Sequence, residues 1–143
     1  MRLLVCGSRG WKDYSAILCY ITQKCPRLVI HGGASGADQM ADRAAKELGI
    51  PTACFDANWQ FYGRAAGHIH NLQMLDLGQP DEVVAFWDGE SPGTENMVEI
   101  FIGRGLQVTI VGPQERPGVH IKATILGKSI SIDPFIIPAT VAA

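Results

Sequence analysis

The stretch from Val29 to Asp38, VIHGGASGAD, narrows what this chain can fold into more than any other. A buried-type apolar run ends at His31 and breaks into glycines just ahead of a helical pattern, which is the order of a strand, a tight loop and a helix. Gly32 and Gly33 have no Cβ to obstruct the turn, Ser35 is the expected helix cap, and Asp38 three residues later is placed to close a capping box. The start of such a helix presents unpaired N–H groups and the positive end of the helix dipole, a setting that suits an anionic group such as a nucleotide phosphate. The spacing matches neither G-x-G-x-x-G nor G-x-x-x-x-G-K-[ST], so neither the dinucleotide fingerprint nor the Walker A motif applies.

The same grammar recurs along the chain. Arg2 to Cys6 is an apolar run that ends in Gly7-Ser8-Arg9-Gly10, where Arg9 offers a planar fork of donors and Trp11 is placed to pack over the loop. Val83 to Trp87 runs into Asp88 to Thr94, DGESPGT, in which Pro92 presets the backbone near a helix start and Thr94 is the expected cap. Between these lie a helix carrying Tyr14, Ile17, Leu18 and Ile21 at helical spacing, a second with the narrow face Met40, Ala41, Ala44, Ala45 and Leu48, and a strand from Pro51 to Phe55 that delivers Asp56, Asn58 and Trp59. A helix from Gly63 to Gly78 places Arg64, His68 and Asn71 at i, i+4 and i+7, on one face. A helix with Met97, Ile100, Phe101 and Arg104 and a strand from Gln107 to Val111 complete the repeat.

Strands joined by helical crossovers run parallel, so this pattern predicts an α/β fold in which the Gly-rich segments gather at the C-terminal edge of one sheet. Residues 1–111 form that unit, and residues 112–143 differ in kind: Val119 to Ile125 and Ser129 to Ile132 alternate about Gly127 as a β-hairpin. Its edges and the apolar end Phe135 to Val141 suit packing on the domain or on a second copy, as a homodimer or higher homo-oligomer.

Composition excludes several classes of function. A net charge of −2 with scattered Lys and Arg leaves no basic groove for nucleic acid, and no apolar stretch reaches the length of a membrane helix. The first residues show no signal peptide, so a cytoplasmic location is expected. The four cysteines have no C-x-x-C spacing and are expected reduced and mostly buried, and no metal site or cofactor is expected, since His68 and His70 point to different faces of a helix.

Five blocks in order carry a family resemblance: VCGSRGW (5–11), HGGASGAD (31–38), DANW (56–59), GRAAG (63–67) with Asn71 and Met74, and AFWDG (85–89) with Ser91, Gly93 and Thr94. Together they resemble the YspA and cpYpsA-related group of the SLOG (Smf/DprA and LOG-like) superfamily, over about residues 1–111. The resemblance implies a Rossmann-like, mostly parallel sheet with flanking helices and a nucleotide or nucleotide-derived ligand. LOG-type enzymes of that superfamily cleave the base–ribose bond of nucleoside monophosphates with a motif P-G-G-x-G-T-x-x-E. Here the similar stretch SPGTENM puts Met97 where the glutamate stands.

The expected function is therefore binding or sensing of a nucleotide-type small molecule, with phosphate on the amides near Gly33 to Gly36 and Gly93 to Thr94 and Arg9 or Arg64 as counter-charge. The expected ligand-binding set is Gly7, Ser8, Arg9, Gly32, Gly33, Ser35, Gly36, Asp38, Trp59, Arg64, His68, Asn71, Trp87, Asp88, Ser91, Gly93 and Thr94, with Trp59 or Trp87 beside the base. The rival is a LOG-like phosphoribohydrolase, in which Glu95, Asp88 or Asp38 replaces the missing carboxylate and Arg64 assists. Single-strand DNA binding, as in the DprA branch, is the third reading.

Overall fold

The computed structural model describes residues 1–56, 66–89, 91–112, 121–125 and 128–132. Along the chain these form β1 (Arg2–Gly7), α1 (Tyr14–Lys24), β2 (Leu28–His31), α2 (Ala37–Glu47), β3 (Thr52–Cys54), α3 (Ala66–Gly78), β4 (Glu82–Phe86), α4 (Pro92–Gly103), β5 (Gln107–Val111), β6 (Ile121–Ile125) and β7 (Lys128–Ile132). The first five strands make one sheet in the order β3-β2-β1-β4-β5. Every pairing in it is parallel. β6 and β7 pair antiparallel as a separate hairpin, Ile121 opposite Ile132. This is a Rossmann-like α/β architecture, and no helix among the described residues is long and apolar enough to cross a membrane.

The alternation of strand side chains splits the core into two layers. Leu3 and Val5 of β1, Val29 of β2, and Val84 and Phe86 of β4 face α1 and α2, where Ala41, Ala44 and Ala45 bring α2 close to the sheet. Phe86 anchors this layer, with Trp11 at 5.5 Å and Tyr20 edge-on at 6.0 Å between ring centroids. Leu4, Cys6, Ile30, Val83, Ala85 and Trp87 face the other way, onto Met74 and Leu75 of α3 and Met97, Val98 and Phe101 of α4.

Several local expectations are corrected. The α2 cap is Gly36, not Ser35, and it makes no side-chain cap bond; Asp38 instead turns back so that Oδ2 accepts from the Ala34 N–H at 3.2 Å. The α4 cap is Ser91, with Pro92 in the first turn, and Thr94 is a buried residue inside the helix. The burial of Asn71, with Met74, Leu75 and Gly78, puts it on the packed face of α3 rather than on a polar one. Cys6 and Cys19 are buried as expected, whereas Cys25 and Cys54 are exposed thiols. Asn58, Trp59, Gly63, Arg64, the Pro113 to Gly118 turn and the Phe135 to Val141 end lie outside the described residues, as does the side chain of His68.

Gly36 shows why this chain is punctuated by glycine. Its φ is +78°, and a Cβ there would collide with the carbonyl oxygens of Ser8 and Arg9. Gly36→Ala is expected to cost at least about 2 kcal/mol in urea denaturation. Gly103→Ala, whose Cβ meets nothing within 4 Å, is the control and is expected to be neutral or slightly stabilising.

Candidate ligand-binding site

The order β3-β2-β1-β4-β5 reverses direction on either side of β1, and in open parallel sheets the crevice at that point, beyond the strand C-termini, is where ligands sit. A cleft of about 960 Å³ opens there. Its loop side comes from Cys6, Gly7, Arg9 and Gly10 after β1, Gly32 to Ser35 after β2, Asp38 of α2 and Asp56 after β3. Its helix side comes from His70, Asn71 and Met74 of α3 and from Ser91 to Thr94, Asn96 and Met97 at the start of α4.

The glycine loop that organises the sequence uses its amides internally. The Gly33 N–H donates to His31 Nδ1 at 3.0 Å, the Ala34 N–H and the Gly32 backbone serve the Asp38 carboxylate, and the Ala37 N–H donates to the Ser8 carbonyl at 3.3 Å. The His31 ring is fixed in turn by Asp42 Oδ1 at 2.9 Å from Nε2. A carboxylate of the protein itself thus occupies much of the expected phosphate cradle. At α4 the picture differs: Ser91 makes no side-chain cap bond and Pro92 has no N–H, so the first-turn amides of Gly93 and Thr94 are not taken by a cap. Arg9, exposed on the cleft, adds a positive charge.

Other expected residues support the cleft rather than line it. Ser8 is buried; its N–H donates to the Phe86 carbonyl at 2.9 Å, and its Oγ accepts from the Asp88 N–H at 3.1 Å. Asp88 accepts from Ser91 through both oxygens, from the N–H at 2.9 Å and from Oγ at 3.0 Å. Trp87 is wholly buried and donates from Nε1 to the Ser91 carbonyl, so its ring is not available to stack on a base, contrary to the sequence expectation. Glu95 is not among the residues that line the cleft, and its place in the first turn of α4 suits the helix dipole. Met97, which stands where the LOG motif has its glutamate, does line the cleft and brings an apolar side chain there.

Two groups on the cleft are unusual in their protonation. Burial pushes the Asp38 carboxyl up from 3.8 to about 6, against the opposing effect of the Ala34 and Gly32 bonds and of His31 and Arg9. Burial likewise lowers the pKa of His70, whose ring N–H bonds the Phe55 carbonyl while its buried Nε2 has no hydrogen-bond partner among the described residues. A Cβ on Gly32 would lie 2.6 Å from that Nε2 and 3.0 Å from Asp38 Oδ2, so both groups close on Gly32. His70, Asn96, Met74, Met97 and Cys6 were not assigned to a site from sequence, because their local pattern is that of ordinary helix and strand positions and only long-range packing brings them to the cleft.

These features define a Rossmann-like α/β protein with an open cleft at the switch point of its sheet. More narrowly, the chain belongs to the YspA, cpYpsA-related SLOG family. The family's sequence model matches residues 1–62. The Gene 61 protein of Mycobacterium phage D29 is 32% identical over 121 residues, covering 78% of this chain and 96% of that protein. The fold is similar to that of DNA processing protein A (DprA) from Streptococcus pneumoniae, with a TM-score of 0.56 at 18% identity over 79% of this chain, which spans 50% of the DprA chain.

A carboxyl whose folded pKa lies above its unfolded one holds more protons when folded. Its contribution is therefore fully present at acid pH and is lost as pH rises from the unfolded value through the folded one. Asp38→Asn removes this ionisation, and the variant is expected to gain on the wild type between about pH 4 and about pH 7, by up to about 3 kcal/mol. Urea denaturation of both proteins across that range checks it; a stability difference that stays flat with pH would show that Asp38 is not desolvated.

Proposed function

We propose that the protein binds a nucleotide-type ligand, a phosphate ester of a nucleoside, in the cleft at the sheet's C-terminal edge. The observation that carries this reading is one cleft of nucleotide scale that combines uncapped α4 amides at Gly93 and Thr94, the Arg9 guanidinium and a helix wall that carries Met74 and Met97. Family membership supports it, since nucleotide-related ligands are what the SLOG resemblance implies. The phosphate lies at the start of α4 rather than on the Gly33 to Gly36 loop, where the Gly33 and Ala34 amides are engaged by His31 and Asp38.

A hydrolase reading keeps one specific observation in its favour: Asp38 is a cleft-lining carboxyl with its pKa near 6, the range of a general acid. Of the three carboxylates weighed for that role, Asp38 alone lines the cleft.

Calorimetric titration with nucleoside monophosphates and the matching nucleosides tests the proposal. The phosphate is expected to strengthen binding, and Arg9→Ala to weaken the monophosphates by about tenfold, consistent with loss of one charge-assisted hydrogen bond, while leaving the nucleosides nearly unchanged. Equal binding with and without phosphate would count against it. Release of free base during incubation, abolished by Asp38→Asn but not by Glu95→Gln, would replace the binding protein with the hydrolase.

A further inference from the structure

The helix wall of the cleft holds a polar feature that neither phosphate binding nor the core requires. Asn71 of α3 donates from Nδ2 to Oδ1 of Asn96 on α4 at 3.0 Å, and both residues line the cleft. Asn71 is only 8% exposed, so its amide is held by packing as well as by this bond.

An Asn amide carries two N–H donors and a carbonyl with two lone pairs, and one bond between two such amides leaves most of that capacity unused. Either orientation of the two amides leaves the same groups. If both are turned over, the bond runs the other way, and the pair still ends in one carbonyl and one amino group. No other hydrogen bond joins either side chain to a described residue. The surroundings narrow what the pair can meet. Met74, one turn from Asn71, and Met97, next to Asn96, line the same cleft with 2% exposure each. Thioethers favour the faces and edges of aromatic rings. The charged cleft residues Arg9, Asp38 and Asp56 all come from the loop side.

We infer that Asn71 and Asn96 form a fixed amide pair that reads the hydrogen-bonding edge of a heterocyclic base, with Met74 and Met97 as its apolar bed. The inference rests on the nucleotide reading above and adds to it the part of the ligand that confers selectivity. Asn96 lies three residues after Gly93, about 4.5 Å along the axis of α4, so a phosphate at the helix start leaves roughly the span of a pentose before the pair. The site expects a planar, neutral ring with a donor and an acceptor on one edge.

Binding of AMP, GMP, CMP, UMP and ribose 5-phosphate, measured by calorimetry on the full chain, tests this. The wild type is expected to separate the best from the worst base by at least about tenfold, the scale of a good amide–base pair. Asn96→Leu, at a half-buried position, is expected to shrink that spread to within about threefold and to leave ribose 5-phosphate within about twofold. Asn71→Ser, with thermal melting to confirm folding, is expected to do the same. An amide pair that only clamps α3 to α4 predicts lower stability with the spread intact, and that result would overturn the inference. So would a wild type that binds all four monophosphates alike and more tightly than ribose 5-phosphate, with the nucleotide reading left standing. Binding of none of the five would overturn both.

Discussion

The structure depends on one crowded seam where the ends of β1 and β4 and the start of α2 meet. Ser8 sits at its centre: its N–H reaches the Phe86 carbonyl, its carbonyl takes the N–H groups of Trp11 and Ala37, and its hydroxyl oxygen takes the N–H of Asp88. Three loops are therefore tied to a single buried residue, which satisfies backbone groups that burial would otherwise leave costly. The seam closes only because Gly7 lies against Phe86 and Ala37, and Gly36 against Ser8 and Arg9, with no Cβ between them. The cleft is the space left over when these loops are drawn in toward the core on one side and α3 and α4 stand on the other.

That arrangement gives the two sides of the cleft different chemistry. On the loop side, Asp38 is drawn over the end of β2, where the amides of Gly32 and Ala34 hold it, and desolvation keeps its carboxyl near a pKa of 6. The loop beside it is further stiffened by His31, held between Gly33 and Asp42, which is itself paired with Lys46 at 2.6 Å. On the helix side the Asn71 and Asn96 amides stand with His70, Ser91 and Thr94 as the polar groups, and Met74 and Met97 bring thioether side chains to the lining.

The absence of the LOG glutamate is informative in this setting. Met97 takes its place in α4 and lies in the cleft wall, so the local chemistry there is apolar. Glu95 is a first-turn acid outside the lining, and Asp88 is bonded to Ser91 through both oxygens. The carboxyls that line the cleft are Asp38 of α2 and Asp56 after β3.

Local signals, hydrophobic periodicity and glycine punctuation, were enough for the alternation of strands and helices, the parallel sheet and the hairpin: β5 spans Gln107–Val111 as read, and α1 is capped by Cys25 before Pro26. They also put the Gly-rich turns on one edge, since parallel strands have no other choice. Tertiary structure decided what those turns do. Ser35 and Thr94 carry side chains that suit a cap, yet Gly36 and Ser91 hold those places, because contacts with Ser8, Arg9 and Asp88 set where each helix begins. Trp87 and Asn71 follow the same rule: an aromatic at a strand end and an amide on a helix are ambiguous until the opposite layer is known. Asn96 carries no local mark at all, and only tertiary structure puts it in the cleft wall, bonded to a residue 25 positions away. Backbone propensity is written in neighbours along the chain, whereas burial and pairing belong to neighbours in space, and the site is made almost entirely of the latter.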